Sequence, residues 1–200
     1  MEGMMGSSAW EIWAANAVTM VSCLEECKKG YREIGNATAF FYQHAQGSYL
    51  ITNKHVVFDE ESDYFPDLLK IKLHKDKHNL TLSEDYIIPL YDGSGKKTWI
   101  EHPSITQADV VAIQLDCREI GEKFWTNAFT IENHIPEETT ISMCEPLFVL
   151  GYPLGFYDKI NNLPIIRSAT IASLYSVPFE GNPFILIDSR LHAGSVTNFL

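Results

Sequence analysis

The chain has 200 residues, of which 46% are hydrophobic and 20% charged, a composition typical of a globular protein with a sizeable core. Its formal net charge at pH 7 is -11, which argues against nucleic-acid binding through clustered Lys and Arg side chains. A chain of this length fits one domain, or two small lobes packed together.

The N-terminal residues and the cysteines indicate the compartment. Residues 1–21 are only moderately apolar, lack a basic leader and contain Glu11, so they form a poor secretory signal. No stretch has the length of a membrane span. Four cysteines are too few for a disulfide framework, and Cys23 with Cys27 lacks the second Cys or His pair of a zinc site. We expect a cytoplasmic protein without a metal or other cofactor, and without a membrane or nucleic-acid partner.

Short strands dominate the predicted elements. A helix over residues 9–17 comes first, and Gly30 and Gly35 mark turns. The predicted strands are residues 18–24, 37–42, 49–52, 68–74, 86–90, 98–100, 109–116, 146–150, 165–175 and 183–187, with a hairpin between the second and the third. The fourth strand alternates apolar and basic side chains, which is typical of a half-buried strand. This pattern predicts an all-β sandwich or barrel, and the polar stretch 117–140 favours two β lobes.

Two polar segments have competing interpretations. Residues 58–67 carry five acidic side chains and are compatible with a calcium loop, but they lack the glycine and the terminal Glu of an EF-hand. We favour a solvated surface loop there. His74 and His78 flank a Lys-Asp-Lys turn, and we expect both side chains to be exposed rather than to bind a metal.

Three residues in the order His, Asp, Ser provide the groups of nucleophilic serine catalysis. His55 follows an apolar run, Asp109 opens an apolar strand, and Ser195 follows Gly194. In such a site the imidazole takes the hydroxyl proton, the carboxylate orients the imidazole, and backbone N–H groups hold the oxyanion. Each residue also has a structural interpretation, as a core histidine, a strand-entry acid and a loop serine. A buried, unpaired acid is costly, which favours a histidine partner for Asp109.

These segments resemble those of trypsin-like serine proteases and are most similar to the bacterial high-temperature-requirement branch. The resemblance is carried by Leu-Ile-Thr-Asn-Lys-His-Val-Val at residues 50–57, Ala-Asp-Val-Val-Ala-Ile at 108–113, Phe-Val-Leu-Gly-Tyr-Pro-Leu-Gly at 148–155 and Ile-Asp-Ser-Arg-Leu-His-Ala-Gly at 187–194. It implies a trypsin-like double β-barrel with lobes over about residues 18–118 and 140–200. It also implies a serine endopeptidase that hydrolyses peptide bonds through an acyl-enzyme, with His55, Asp109 and Ser195 as the triad.

The family pattern breaks at the expected nucleophile. The family continues as Gly-x-Ser-Gly and then Ser-Pro or Gly-Pro, whereas this chain continues from Gly194 as Ser-Val-Thr-Asn. Direct register therefore puts Val196 at the nucleophile position. Either a Ser-Gly-Ser-Pro segment is missing between Ser195 and Val196, or Ser195 acts in a shifted loop, or the chain is a catalytically inactive binding module. We favour the first interpretation.

The resemblance also places Arg190, His192 and Gly194 beside the substrate. The two basic residues favour an acidic substrate side chain, although Arg190 has alternative ion-pair partners in Asp188 and Glu180. The family adds strands after the serine that have no counterpart here, so the second lobe is expected to be incomplete. Either the chain is truncated or the lobe closes differently, and an open sheet edge invites pairing with a second copy. A regulatory partner is expected because an unrestrained intracellular protease is harmful. The expected ligand is a protein or peptide substrate.

Overall fold

The structure, a computed structural model, describes residues 7–45, 47–136, 138–182 and 184–189. The helices are α1 Ser7–Asn16, α2 Lys54–Val57 and α3 Cys117–Lys123, with single 3-10 turns at Ile131–Asn133 and Pro153–Gly155. The strands are β1 Val18–Cys27, β2 Gly30–His44, β3 Gly47–Thr52, β4 Leu68–His74, β5 Ser83–Pro89, β6 Trp99–Glu101, β7 Val111–Leu115, β8 Pro146–Gly151, β9 Ile165–Ile171 and β10 Ile187–Asp188.

A large antiparallel sheet contains β1 to β7 in the order β5-β4-β1-β2-β3-β7-β6. The predicted hairpin is confirmed, because β2 pairs with β3 and Phe41 lies opposite Leu50. The alternation predicted for β4 is also confirmed. Leu69, Ile71 and Leu73 are at most 1% exposed, and the lysines between them are only partly buried.

One hydrophobic core receives side chains from all the strands of the large sheet. The two edge strands contribute Ile88 from β5 and Trp99 from β6. The chain links these edges directly, because the Thr98 N–H donates to the Leu90 carbonyl at 2.9 Å and the Thr98 hydroxyl donates to the Pro89 carbonyl at 2.8 Å. These two bonds hold the residue before β6 against the end of β5, so the two edge strands of the sheet approach each other at one end.

A small sheet of β8, β9 and β10, in the order β10-β9-β8, packs on the large one. Thr38 of β2 accepts at Oγ1 from the Tyr152 N–H at 2.9 Å, while its carbonyl accepts from the Thr52 hydroxyl at 3.0 Å. The Tyr152 side chain is 2% exposed and its hydroxyl donates to the Val18 and Asn162 carbonyls at 3.5 and 3.2 Å. Thr38 and Tyr152 thus hold the two sheets together.

Two predictions about single residues are wrong. His74 is 6% exposed, because its Nε2 hydrogen-bonds with the Asn161 carbonyl at 2.8 Å in a turn that covers the end of β4. Gly35 lies inside β2 instead of in a turn. It faces the register shift between Cys23 and Leu24, where a Cβ would come within 2.5 Å of the Tyr64 hydroxyl. Close approach of an aromatic ring, not a turn, is what requires glycine there.

The fold-class prediction is confirmed at the level of a mostly β protein with a larger and a smaller antiparallel sheet. The closed two-lobe double barrel stays a prediction. Strand lengths differ in places: β9 ends at Ile171 instead of at residue 175, and β10, Ile187–Asp188, overlaps the strand predicted over residues 183–187 only at Ile187. In the part of the chain that the structure describes, none of the helices is long and apolar enough to cross a membrane.

Candidate functional site

The helical turn α2 carries His55 on the outside of the large sheet. Val56 and Val57 on the same turn are 4% and 0% exposed and belong to the hydrophobic core. The Cys23 thiol also donates to the Val56 carbonyl, at 3.6 Å. Because Val56 and Val57 are buried on one side of this four-residue turn, His55 faces solvent on the other side, and 44% of its side chain is exposed.

Strand register brings Asp109 to His55. Strand β3 ends at Thr52, which lies opposite Val111, the first residue of β7. In an antiparallel pair, the residues that follow one strand lie beside those that precede the other. The turn after β3 and the residues before β7 are therefore neighbours, although His55 and Asp109 are 54 positions apart.

Two hydrogen bonds join the pair. Nδ1 of His55 lies 2.7 Å from Oδ2 of Asp109, and the His55 backbone N–H donates to Oδ1 at 3.0 Å. An ionised carboxylate only accepts, so the hydrogen of the neutral ring belongs on Nδ1. Nε2 then carries the lone pair and is the atom that is able to take a proton.

The electrostatics favour a charged pair. The hydrogen bond with Asp109 raises the pKa of His55 above 6.5; burial opposes the rise, and the charges of Asp109 and Asp59 support it. Burial acts to raise the pKa of Asp109, but hydrogen bonds from the His55 side chain and backbone outweigh it and lower that pKa below 3.8. The contact of protonated His55 with Asp109 therefore stabilises the folded state. This stabilisation is complete below pH 6.5 and is lost as the pH rises through the raised pKa of His55.

A neighbouring ion-pair network fixes the turn that carries His55. The Lys54 ammonium lies 2.9 Å from Glu101 at the end of β6, and Lys97 pairs with the same carboxylate. The Trp99 indole N–H donates to it at 3.1 Å. The hydrogen bonds from Lys97 and Lys54 lower the pKa of Glu101 to about 2.

Glu101→Gln is expected to destabilise the protein at pH 7 by about 1 kcal/mol, the upper end for partly exposed pairs. The folded pKa of about 2 lies below the ordinary 4.5, so the stabilisation is complete above pH 4.5 and is lost as the pH falls toward 2. Urea unfolding of wild type and variant at pH 7 and pH 2.5 measures both values. Glu132→Gln, at an exposed glutamate, is the control. An equal loss at both pH values would rule out the network as the cause.

Of the residues predicted to act in catalysis or substrate binding, the structure brings His55 and Asp109 together. Ser195, together with Arg190, His192 and Gly194, lies outside the described residues. Within the described ranges, no group of three or more His, Cys, Asp or Glu side chains is placed to hold a metal ion. The acidic loop of residues 58–67 packs beside the site, with Asp59 and Tyr64 paired across it.

The roles of Asn53 and Glu101 beside the pair were not predicted from the sequence. Asn53 is 5% exposed and its side-chain amide contacts Asp109. The local signal for Asn53 was its place directly before a helical turn, which is the usual position of an N-capping residue and does not indicate a contact with Asp109. Glu101 had no local signal, because its contacts with Lys54 depend on the pairing of β6 with β7.

The geometry defines a histidine–carboxylate pair with a half-exposed imidazole, an arrangement suited to proton transfer.

No protein-family model matches the chain, and no curated protein matches it.

Proposed function

We propose that this chain is a serine endopeptidase of the trypsin-like kind. The observation that supports this most is the 2.7 Å contact between His55 Nδ1 and Asp109 Oδ2. This contact joins the residue predicted to be the base, His55, to the residue predicted to orient it, Asp109. A histidine whose Nδ1 faces a carboxylate and whose ring is half-exposed meets the requirement for a general base.

The proposed reaction has two halves. A serine hydroxyl attacks the substrate carbonyl as Nε2 of His55 takes its proton, and Asp109 stabilises the resulting imidazolium. The imidazolium then protonates the leaving amine, and an acyl-enzyme remains. In the second half water attacks the acyl group and Nε2 takes a proton from it. The imidazolium then gives that proton to the serine oxygen as the bond to the acyl group breaks and the acid product leaves. The nucleophile is Ser195, or a serine in a Ser-Gly-Ser-Pro segment missing between Ser195 and Val196.

The arrangement of the sheets supports the same proposal. The bond between Thr98 and Leu90, which brings the ends of the two edge strands together, is compatible with a sheet that curls toward a first barrel. The small sheet of β8 to β10 would belong to the second lobe. The proposed ligand is a protein or peptide, bound beside Arg190, His192 and Gly194. The proposed partners are a regulatory protein or a second copy of this chain.

A second candidate is a protease-derived binding module without catalytic activity. The observation that favours it is the sequence Gly194-Ser195-Val196, which places no glycine after the serine to shape an oxyanion loop. In this alternative, His55 and Asp109 remain as a structural pair.

Reaction of the full chain with a fluorophosphonate probe separates the two candidates. We expect wild type to be labelled, His55→Ala to lose the label, and His78→Ala, at an exposed histidine, to keep it. Peptide mapping of the label identifies the serine. Absence of label from wild type would favour the binding module. An intact mass equal to that of the printed sequence would reject the missing Ser-Gly-Ser-Pro segment.

A further inference from the structure

Asn53 is a buried polar side chain at the start of α2 and is 5% exposed. Asparagine at this position normally caps the helix, by accepting a hydrogen bond from a backbone N–H of the first turn. Within the described chain the Asn53 side chain makes no such capping bond. Helix capping therefore does not explain why an amide is buried here.

The Asn53 amide instead donates to Asp109 twice. Nδ2 lies 2.8 Å from the Asp109 main-chain carbonyl and 3.1 Å from its Oδ2. A single NH₂ group thus contacts both the backbone and the side chain of one residue. These two bonds restrain the rotation of the Asp109 side chain relative to its own backbone.

The two oxygens of the Asp109 carboxylate have different partners. Oδ1 accepts from the His55 backbone N–H at 3.0 Å, and Oδ2 accepts from Asn53 and faces His55 Nδ1 at 2.7 Å. Oδ2 is the atom that decides which His55 nitrogen carries the hydrogen. Asn53 and His55 therefore contact the same oxygen, so a change at residue 53 acts directly on the atom that faces Nδ1.

We propose that Asn53 is a positioning residue that holds Oδ2 of Asp109 in line with Nδ1 of His55. The consequence of this contact for catalysis rests on the proposed serine endopeptidase function. The consequence for the His55 tautomer does not, because it requires no nucleophile. Asn53 acts on His55 through its contacts with Asp109.

The test is the tautomer of His55 in the ¹⁵N-labelled full chain, measured from two-bond ¹H–¹⁵N correlations of the ring at a pH above its titration. In wild type we expect Nδ1 to have a protonated-type shift and Nε2 an unprotonated-type shift. In Asn53→Ala we expect the two shifts to converge, as the Nδ1–H form loses population to the Nε2–H form. Asn53→Asp should show a larger convergence, since it replaces a donor by a second carboxylate facing Asp109.

Asn16→Ala is the matched control. Asn16 is 4% exposed and its Nδ2 also donates to a backbone carbonyl, that of Ile12 at 2.8 Å, far along the chain from His55. It should leave both ring shifts of His55 unchanged. Shifts in Asn53→Ala equal to those in Asn16→Ala would overturn the proposal, because a merely structural asparagine would behave in the same way.

If the Asn53 variants do not fold, a pH titration of the wild type tests the contact between the Asn53 amide and Oδ2 of Asp109. The Asn53 Nδ2 proton resonances should shift on acidification with the same midpoint as the Asp109 side-chain carboxyl carbon, because those protons bond its Oδ2. Asn53 resonances that stay constant through this midpoint would overturn the proposal. Failure of the proposed function has a different signature: no fluorophosphonate label on wild type, with the His55 and Asn53 resonances still as expected.

Discussion

Asp109→Asn is expected to reduce kcat for peptide hydrolysis by about 10⁴-fold with little change in KM, the size of effect known for this change in a Ser–His–Asp triad. The carboxamide places an N–H₂ group where Oδ2 accepts now, so His55 Nδ1 no longer has an acceptor for its hydrogen. The ring then carries its hydrogen on Nε2 and is unable to take the serine proton. Steady-state kinetics on a peptide that the wild type cleaves measures the loss.

The pH profile of Asp109→Asn provides an independent readout. The acid limb of kcat/KM reports the base of the free enzyme, and in wild type it should lie above pH 6.5, because Asp109 raises the pKa of His55. In the variant the limb should move to lower pH. Asp76→Asn, at an exposed aspartate that bonds the His78 N–H, is the control and should keep both rate and profile. Retention of activity within tenfold of wild type in Asp109→Asn would contradict an orienting role.

Tyr152→Ala is expected to destabilise the fold by about 3–5 kcal/mol, the cost of removing a large aromatic side chain from a packed core. Its ring is 2% exposed and packs on Tyr157 with the ring centroids 5.4 Å apart. Tyr152→Phe removes only the hydroxyl that bonds the Val18 and Asn162 carbonyls, and should cost about 1 kcal/mol. Equilibrium urea unfolding gives both values.

Tyr31→Ala is the control for the aromatic truncation, because Tyr31 is 56% exposed. It should change the unfolding free energy by no more than about 0.5 kcal/mol. If Tyr152→Ala unfolds at the same urea concentration as Tyr31→Ala, the contact between the two sheets through Tyr152 contributes nothing to stability. A cost of Tyr152→Phe equal to that of Tyr152→Ala would instead assign the whole effect to the hydroxyl.

Much of the fold was predictable, because strand formation leaves a local signal. The alternation in β4 and the β-prone runs of β2 and β3 follow from side chains pointing to opposite faces along a strand. The position of His55 after an apolar run and that of Asp109 at the start of an apolar segment were also visible. Such patterns involve neighbouring residues, whose spacing the printed sequence states directly.

Contacts between distant segments were not predictable in this way. His74 was expected to be exposed, since its neighbours are charged, but the turn containing Asn161, 87 positions later, covers it. Gly35 has the appearance of a turn residue, but what it accommodates is the Tyr64 ring. In both cases the deciding neighbour belongs to another strand or loop, and local composition carries no information about which segment that is.

The sequence by itself determined the kinds of groups at the site and their local settings: an imidazole on a turn after β3 and a carboxylate before β7. The tertiary structure decided that these groups meet. The register that sets Thr52 opposite Val111 brings His55 within hydrogen-bond distance of Asp109. It also places the Asn53 side-chain amide where it donates to Asp109. The reason is physical: a hydrogen bond depends on separations of about 3 Å in space, and only the pairing of strands converts 54 positions of sequence into that distance.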